Sequence, residues 1–354
     1  MTTFNFFKIN FFKIKFFKIN FIFMVALAAL NFFSCAKNDE RSKEVVVYTY
    51  DSFAGEWGAA PAIKEKFEKS SGLTLTFVDC GDAVQAYTKA LGEKENPNAD
   101  VVLGLDNNML HKIRKDNFFE IYKPNGAENL NASLQEELGG DWLLTPYDYS
   151  YFAMIYDSES GIKKPASLED LTSSEYKKKI ILMNPETSSP GLGFLSWTVS
   201  VFGNGQELLD YWAALKENIL TMTSGWSEGW GMFESGEAPL VISYTTSPAY
   251  NVEYEKNYRD QALIFDQGHI QQVEALGLAK NAPNKKGGQA FIDFMISQDA
   301  QEELLFTQWM YPANSNVELP DSYREAAPLA KTTLKTDSEK TENVLESVMT
   351  ILGK

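Results

Sequence analysis

The sequence contains few cysteines and few histidines. The 354 residues include two cysteines, Cys35 and Cys80, and two histidines, His111 and His269. Residues so few and so far apart provide no Cys-Xaa-Xaa-Cys pair and no zinc-ligand spacing. The sequence therefore predicts no metal site. Cys80 ends the β-like run LTLTFVDC and is expected to be a small buried residue.

Basic residues are also scarce. The chain has 32 Lys and Arg against 48 Asp and Glu, for a net charge of −16. Four of the lysines and none of the acids lie in residues 1–34, so the remainder carries a net charge of −20. This charge argues against a nucleic-acid partner. It is compatible with a cationic ligand.

The first 34 residues read as a targeting segment. A Lys/Phe/Ile repeat, FFKIN, FFKIK and FFKIN over residues 6–20, precedes the apolar run FIFMVALAALNFF and Ser34. A basic start followed by a short apolar run predicts a secretory signal at 1–34, because the run is too short for a bilayer span. Ser34 followed by Cys35 and a polar spacer (35–43) resembles a bacterial lipoprotein signal, although Phe32 stands where Leu is usual. This resemblance implies a lipidated, membrane-attached Cys35; an uncleaved anchor and simple secretion stay open.

The rest of the chain alternates β-rich and amphipathic stretches. EVVVYTY, LTLTFVDC and ADVVLGLD are separated by two helical patterns, and a second such series begins at KKIILMNP. This alternation predicts an α/β fold with parallel strands. Between the two series, residues 145–159 form an aromatic, extended stretch. We expect two lobes joined by crossings near Thr145–Tyr151 and Gln267–Gln271: lobe 1 from 44–146 plus 270–316, lobe 2 from 147–269, and a C-terminal helical segment (317–354) on lobe 2.

The ends of the predicted strands carry aromatic and small hydroxyl residues. Open α/β sheets bind ligands beyond the carboxyl ends of their strands, so these residues are candidates for a cleft. In TSSPGLG (187–193), Ser188 and Ser189 precede Pro190 at a predicted helix start. They are explained either by helix capping or by binding of a phosphate or carboxylate.

Seven stretches carry a more specific resemblance. The stretches, in order between residues 48 and 320, are YTYDSFAGEWG, ADVVLGLDNN, PYDYSYFAMIYD, TSSPGLG, GWSEGWGMF, VISYTTSPAY and WMYPANSNVELP, and the resemblance covers roughly residues 44–335. Together they resemble the substrate-binding proteins of bacterial thiamine ABC importers, which are type II periplasmic binding proteins. The resemblance implies a two-lobed extracytoplasmic monomer without a cofactor. It would deliver thiamine or its phosphates to a membrane permease.

The resemblance also implies a ligand site. Asp82 and Ala83 match the contacts to the aminopyrimidine end of the ligand, although Gly is usual at Ala83. Ser188 and Ser189 match the pair that receives a phosphate, and Trp226 matches a ring-stacking residue, with Trp230 expected to pack behind it. The remaining matches are a contact stretch and three cleft aromatics: Tyr244, Thr245, Thr246, Ser247, Pro248, Tyr50, Trp57 and Trp309.

The sequence also contains features of two alternative functions. Gly225-Trp226-Ser227-Glu228-Gly229 has the letters of the G-x-S-x-G nucleophile elbow, which would make Ser227 a nucleophile. His269 is the one histidine after Ser227, Asp266 lies only three residues before it, and no HGGG-type segment occurs. We therefore expect no catalytic residues and no enzyme. The second alternative keeps the fold and binds iron, a polyamine, an anion or a sugar. Iron would need paired tyrosines with a His or a carboxylate, but Tyr244 and Tyr250 are six residues apart with Pro248 between them and have no matching His or Glu.

Overall fold

The computed structural model describes residues 41–353. The predicted signal segment, Cys35 and most of the predicted spacer lie outside the described residues. None of the helices within 41–353 has the length and apolar character needed to cross a bilayer.

Twelve strands form one continuous mixed sheet among the described residues. Along its main path the order is β2-β1-β3-β10-β5-β8-β6-β7, and four short strands pair with the central strands: β4 and β12 with β10, β9 and β11 with β5. The strands are β1 Glu44–Thr49, β2 Thr74–Asp79, β3 Val101–Asp106, β4 Phe119–Glu120, β5 Thr145–Asp157, β6 Ile180–Met183, β7 Ile219–Thr223, β8 Leu240–Tyr244, β9 Asp260–Ala262, β10 His269–Ala279, β11 Tyr311–Pro312 and β12 Thr333–Leu334.

The helices cover both parts of the sheet. The α-helices are α1 Asp51–Ala54, α2 Ala60–Ser71, α3 Ala83–Gly92, α4 Leu110–Asp116, α5 Ala132–Glu137, α6 Ser189–Phe202, α7 Gln206–Leu215, α8 Trp226–Glu234, α9 Pro248–Glu255, α10 Lys285–Met295, α11 Gln298–Thr307, α12 Asp321–Ala326 and α13 Ser338–Leu352. Short 3-10 helices occupy Asn107–Met109, Ala127–Asn129, Glu169–Thr172, Ser174–Tyr176 and Lys216–Asn218. The predicted α/β class is confirmed.

The extended stretch predicted at 145–159 is the single strand β5, and it joins two lobes. Its first half pairs antiparallel with β10 over Thr145–Tyr151. Its second half, Phe152–Tyr156, pairs antiparallel with β8. Lobe 1 is therefore built on β2-β1-β3-β10 and lobe 2 on β8-β6-β7. The change of partner falls between residues 151 and 152, so the predicted lobe boundary at 146/147 is several residues too early.

Each lobe has its own core. In lobe 2 one cluster joins the sheet to α6 and α7 and includes the fully buried Trp197 and Trp212. In lobe 1 two clusters lie on the two faces of the sheet, one around Phe53 and Phe67 and the other around Tyr87. Two rigid lobes connected by strands can move relative to one another, which is the arrangement of a hinge.

The C-terminal segment is not confined to lobe 2. Val344 and Val348 of α13 do pack into the lobe 2 core. The same helix also meets α4 of lobe 1, where the Ser338 hydroxyl accepts a hydrogen bond from the His111 backbone N–H at 3.2 Å. The placement of 317–354 on lobe 2 alone was therefore wrong, because α13 spans both lobes.

Cys80 also differs from expectation. Its side chain is half-buried rather than buried, and its thiol donates to the Val78 carbonyl at 3.3 Å. The position at the end of a strand, rather than inside it, accounts for the exposure.

Candidate functional site

A cavity of about 740 Å³ lies between the two lobes. The carboxyl ends of the parallel strands β1 and β2 face it from lobe 1, and those of β6, β7 and β8 face it from lobe 2. Its lining residues are Tyr50, Ser52, Gly55, Glu56, Trp57, Gly58, Asp82, Ala83, Ser189, Pro190, Trp226, Trp230, Tyr244, Ser247, Tyr250, Tyr254, Glu274, Phe306, Thr307, Gln308, Trp309 and Met310. The cleft is therefore lined by residues that follow the strand ends, as the sequence predicted.

Most of the predicted site residues meet at this cavity. Nine of them line it: Tyr50, Trp57, Asp82, Ala83, Ser189, Trp226, Tyr244, Ser247 and Trp309. Four do not: Ser188, Thr245, Thr246 and Pro248. Thr245 and Thr246 are fully buried, and their hydroxyls lie 3.3 and 3.0 Å from the Ser150 hydroxyl on β5. Pro248 is buried at the first position of α9. Contact of any of these residues with a ligand stays a prediction.

Two parallel indoles form one wall of the cavity. Trp226 and Trp230 lie one turn apart on α8, with ring centroids 5.5 Å apart and planes 13° apart. The Trp226 Nε1–H donates to the Ser243 hydroxyl at 2.8 Å, which fixes the ring. Trp230 packs against Trp226, as expected, and it also lines the cavity. Because residues 226 and 230 are four apart, α8 presents both rings on the same face.

The Asp82 carboxylate joins the lobes. It lies at the N-cap of α3 in lobe 1, where Oδ1 accepts from the Ala83 N–H at 2.6 Å. It also accepts from lobe 2: Oδ1 from the Ser189 N–H at 3.1 Å and Oδ2 from the Trp226 N–H at 2.9 Å. The N-termini of α6 and α8 thus obtain their capping carboxylate from the opposite lobe. Burial raises the pKa of Asp82, and the three backbone N–H groups oppose that rise.

Ser188 does not cap its helix. Its side chain makes no capping hydrogen bond to α6, so the capping explanation given by the sequence was wrong for this residue. The hydroxyls of both Ser188 and Ser189 are buried and lack a hydrogen bond of ordinary geometry within the described residues. Buried hydroxyls without partners are costly and few in native proteins. Ser189, which lines the cavity, is therefore open to a ligand acceptor, whereas the Ser188 side chain faces the Asp82 carboxylate and does not line the cavity.

The floor of the cavity holds a polar group around Tyr50. The Tyr50 hydroxyl lies 2.8 Å from Gln308 Oε1 and 3.3 Å from Glu274 Oε2. Its ring rests against Gly104 of β3, which has φ +103°, and a Cβ there would lie 2.4 Å from the ring. Glycine at position 104 is therefore required for this placement of Tyr50. Glu274 is 6% exposed and lines the cavity.

The mouth of the cavity is aromatic. The Trp309 ring meets Tyr250, Tyr254 and Phe306 edge-on, with centroids 5.5, 5.6 and 6.0 Å away. Its backbone has φ +55°, an uncommon conformation for a bulky residue. Trp57 is 95% exposed at the same rim. Large apolar side chains exposed together mark a surface that binds something.

Ser227 has no catalytic partner. Its hydroxyl donates to Asp51 Oδ1 of lobe 1 at 2.9 Å, so it forms a second contact between the lobes. His269 is fully buried elsewhere, and its Nε2 accepts from the Phe265 N–H at 2.8 Å. Nδ1, 2.8 Å from the Phe152 carbonyl, must then carry the proton. Burial lowers the pKa of His269, which keeps the ring neutral.

The charge of the cavity has one sign. Glu56, Asp82 and Glu274 line it, whereas none of the described lining residues is Lys, Arg or His. Within residues 41–353 no three His, Cys, Asp or Glu side chains are arranged as a metal site. An acidic, aromatic cavity favours a cation with a flat ring.

The comparison with known proteins bears directly on this site. Residues 62–332 match the family described as bacterial extracellular solute-binding protein. The chain belongs to this family. The family binds solutes, and the two-lobed fold and the resemblance found in the sequence are both confirmed.

Relatives of this solute-binding protein that are at least 33% identical to it are named for one ligand. A thiamine-binding periplasmic protein of Brucella melitensis biotype 1 is 38% identical over 292 residues, which cover 82% of this chain and 85% of that one. The protein of the same name from Escherichia coli (strain K12) is 37% identical over 298 residues, covering 83% and 88%. A solved structure titled periplasmic thiamin binding protein is 36% identical with a TM-score of 0.79, covering 87% of this chain and 95% of that one.

Several lining residues of this solute-binding protein were missed in the sequence. Glu274 lies in the apolar run VEALGLA, where a single acid is a signal that was not used. Tyr254, Phe306 and Gln308 lie on helical stretches, and no sequence spacing indicates that those stretches meet the cavity. Only the packing of α9 against the end of α11 brings them together.

Proposed function

We propose that this protein captures thiamine or thiamine phosphates outside the cytoplasmic membrane and delivers them to the permease of an ABC importer. The observation that carries the proposal is the paired Trp226 and Trp230 wall in a cavity that has acidic and no basic lining. The thiazolium ring of thiamine is flat and permanently positive. Such a ring cannot be neutralised by losing a proton, so π faces and carboxylates are the groups suited to hold it. The names of the relatives support the same ligand.

The proposal extends to phosphorylated forms. The Ser189 hydroxyl, which lines the cavity, would donate to a phosphate at the start of α6, and the Ser188 hydroxyl beside it would join if it turned from Asp82 toward the ligand. In the closed arrangement the N–H groups of Ser189 and Trp226 already serve the Asp82 carboxylate. A phosphate at this place would have to share those donors with Asp82, so we expect the serine hydroxyls to carry most of its recognition.

Delivery depends on closure of the lobes. The protein would bind its ligand on one lobe and close through bending of β5 and β10, with Asp82 and Ser227 fastening lobe 2 to lobe 1. The permease would then recognise the closed form. We further propose that the protein acts as a monomer attached to the membrane through a lipidated Cys35, needs no cofactor and catalyses no reaction.

Equilibrium dialysis with labelled thiamine tests the ligand class. Unlabelled thiamine and its phosphates should displace the label at micromolar concentration, whereas ferric citrate, spermidine, sulfate and sugars should not. Binding of one of these competitors in place of thiamine would assign the site to that solute and contradict the proposal.

A further inference from the structure

Two acidic residues face each other on the hinge strands. Glu274 of β10 lies directly opposite Asp148 of β5 in the antiparallel register. Directly opposite residues hold their Cβ atoms about 5 Å apart, and like charges at this separation repel. The flanking residues Val273 and Ala275 are fully buried, so the pair lies inside the protein.

No basic group balances this pair within the part of the chain that the structure describes. The Tyr147 hydroxyl donates to Glu274 Oε2 at 3.0 Å, and Tyr50 lies next to it. Asp148 is 1% exposed and neither of its carboxyl oxygens has a hydrogen-bond partner. The titratable groups that face the pair are all acidic or phenolic: Asp106, Tyr50, Tyr147, Tyr244 and Tyr323.

Burial without a counter-ion favours the protonated forms of both acids. It raises the pKa of Glu274 to about 7. It holds the pKa of Asp148 well above its usual range, and the neighbouring Glu274 raises it further. The two acids therefore titrate as a pair, and Glu274 is the member that reaches the cavity.

Glu274 differs from the other acids of the cavity in what surrounds it. Glu56 is exposed at the mouth, where water and salt screen its charge. Asp82 accepts three backbone N–H groups. Glu274, by contrast, is buried, reaches the cavity and has the Asp148 carboxyl and two tyrosine hydroxyls, rather than backbone N–H groups or a cation, as the groups that stabilise its charge.

Resting on the proposed function, we infer that Glu274 is the carboxylate that receives the positive charge of the ligand, and that binding a cation at neutral pH releases a proton from Glu274 to solvent. The bound cation would supply the positive charge that the described side chains around Glu274 do not provide. The closing lobes would remove water from around both charges, which strengthens their attraction.

Calorimetry of the wild-type protein with thiamine in two buffers of different ionisation enthalpy tests this inference. At about pH 7 the observed enthalpies should differ between buffers by the amount expected for proton release. The thiamine affinity should fall as the pH is lowered from about 8 to about 5, because protonated Glu274 attracts no cation. Equal enthalpies in the two buffers would overturn the inference.

Two variants locate the proton. Glu274→Gln should bind thiamine roughly ten- to a hundredfold more weakly and release no proton, because a charge-assisted contact is lost. Glu128→Gln, at an exposed acid outside the cavity, is the matched control and should keep the wild-type affinity and proton release. Proton release that persists in Glu274→Gln would assign it to another group, such as Asp82, and overturn the inference. A wild-type protein that binds no thiamine at all would instead refute the proposed function itself.

Discussion

Asp82 in lobe 1 accepts a hydrogen bond from the backbone N–H of Trp226 in lobe 2, with 2.9 Å between Oδ2 and the nitrogen. The same N–H begins the helix whose first residue provides the aromatic wall of the cavity. The Asp82 carboxylate therefore links contact between the lobes to the placement of the helix that carries the ring.

Asp82→Asn should loosen the closed arrangement. Asparagine has one acceptor oxygen where aspartate has two, so at least one inter-lobe hydrogen bond is lost, at about 1–3 kcal/mol. Small-angle scattering should show a larger radius of gyration in the variant. Asp79→Asn, an exposed change three residues away, should leave the radius unchanged. An unchanged radius in Asp82→Asn would show that this contact does not hold the lobes.

Trp226→Ala should weaken binding of thiamine and both of its phosphates to a similar degree. The ring shared by all three ligands loses one stacked indole, which we expect to cost about 1–2 kcal/mol. Fluorescence titration measures the affinities. Trp142→Phe, outside the cavity, is the control and should bind as the wild type does. Wild-type affinity in Trp226→Ala would contradict the proposal that the ligand stacks on this indole.

Replacing both Ser188 and Ser189 by alanine should separate the ligands. Thiamine lacks a phosphate and should bind normally, whereas thiamine phosphate and diphosphate should lose about 1–2 kcal/mol of affinity. Ser196→Ala is a close control, since that buried hydroxyl also lacks a partner and lies on the same helix away from the cavity. An equal loss for all three ligands would argue against a phosphate role.

Glu274→Gln should stabilise the ligand-free protein at high pH. The pKa of Glu274 is raised to about 7 in the folded state, so the folded state binds more protons than the unfolded state at intermediate pH. Stability from this group is therefore greatest at low pH and declines as the pH rises through about 7. Glutamine avoids the decline. Thermal unfolding should show similar melting temperatures at about pH 5 and a higher one for the variant at about pH 8. A variant that melts lower than the wild type at the higher pH would contradict the assigned environment.

Ser227 should be chemically inert. Its partner is a carboxylate that helps to join the lobes rather than a histidine. A fluorophosphonate probe should therefore leave the protein unlabelled, with a serine hydrolase as the positive control. Labelling of the wild type that disappears in Ser227→Ala would show that Ser227 is a reactive nucleophile and would support the serine-hydrolase alternative.

The sequence predicted the parts of the fold that depend on local pattern. Alternating β-rich and amphipathic stretches indicated both α/β series, and the aromatic stretch at 145–159 indicated the strand that crosses between lobes. The exact partner change within β5 depends on β8 and β10, which are far away along the chain. No local signal contains that information.

The candidate site was predicted to a similar extent. Strand-end aromatics such as Tyr50 and Trp226 were found because their neighbours are glycines and serines. Asp82 was found too, but its bonds to two helices of the opposite lobe are set by tertiary packing. The role of Glu274 was not predicted, because it depends on Asp148, which lies opposite Glu274 on the neighbouring strand.

Calorimetric titration of the purified protein with thiamine, thiamine phosphate and thiamine diphosphate tests the central claim most directly. The account predicts saturable, single-site heat at micromolar concentration with thiamine, accompanied by a change in tryptophan fluorescence. No heat and no fluorescence change with any of the three ligands would contradict it.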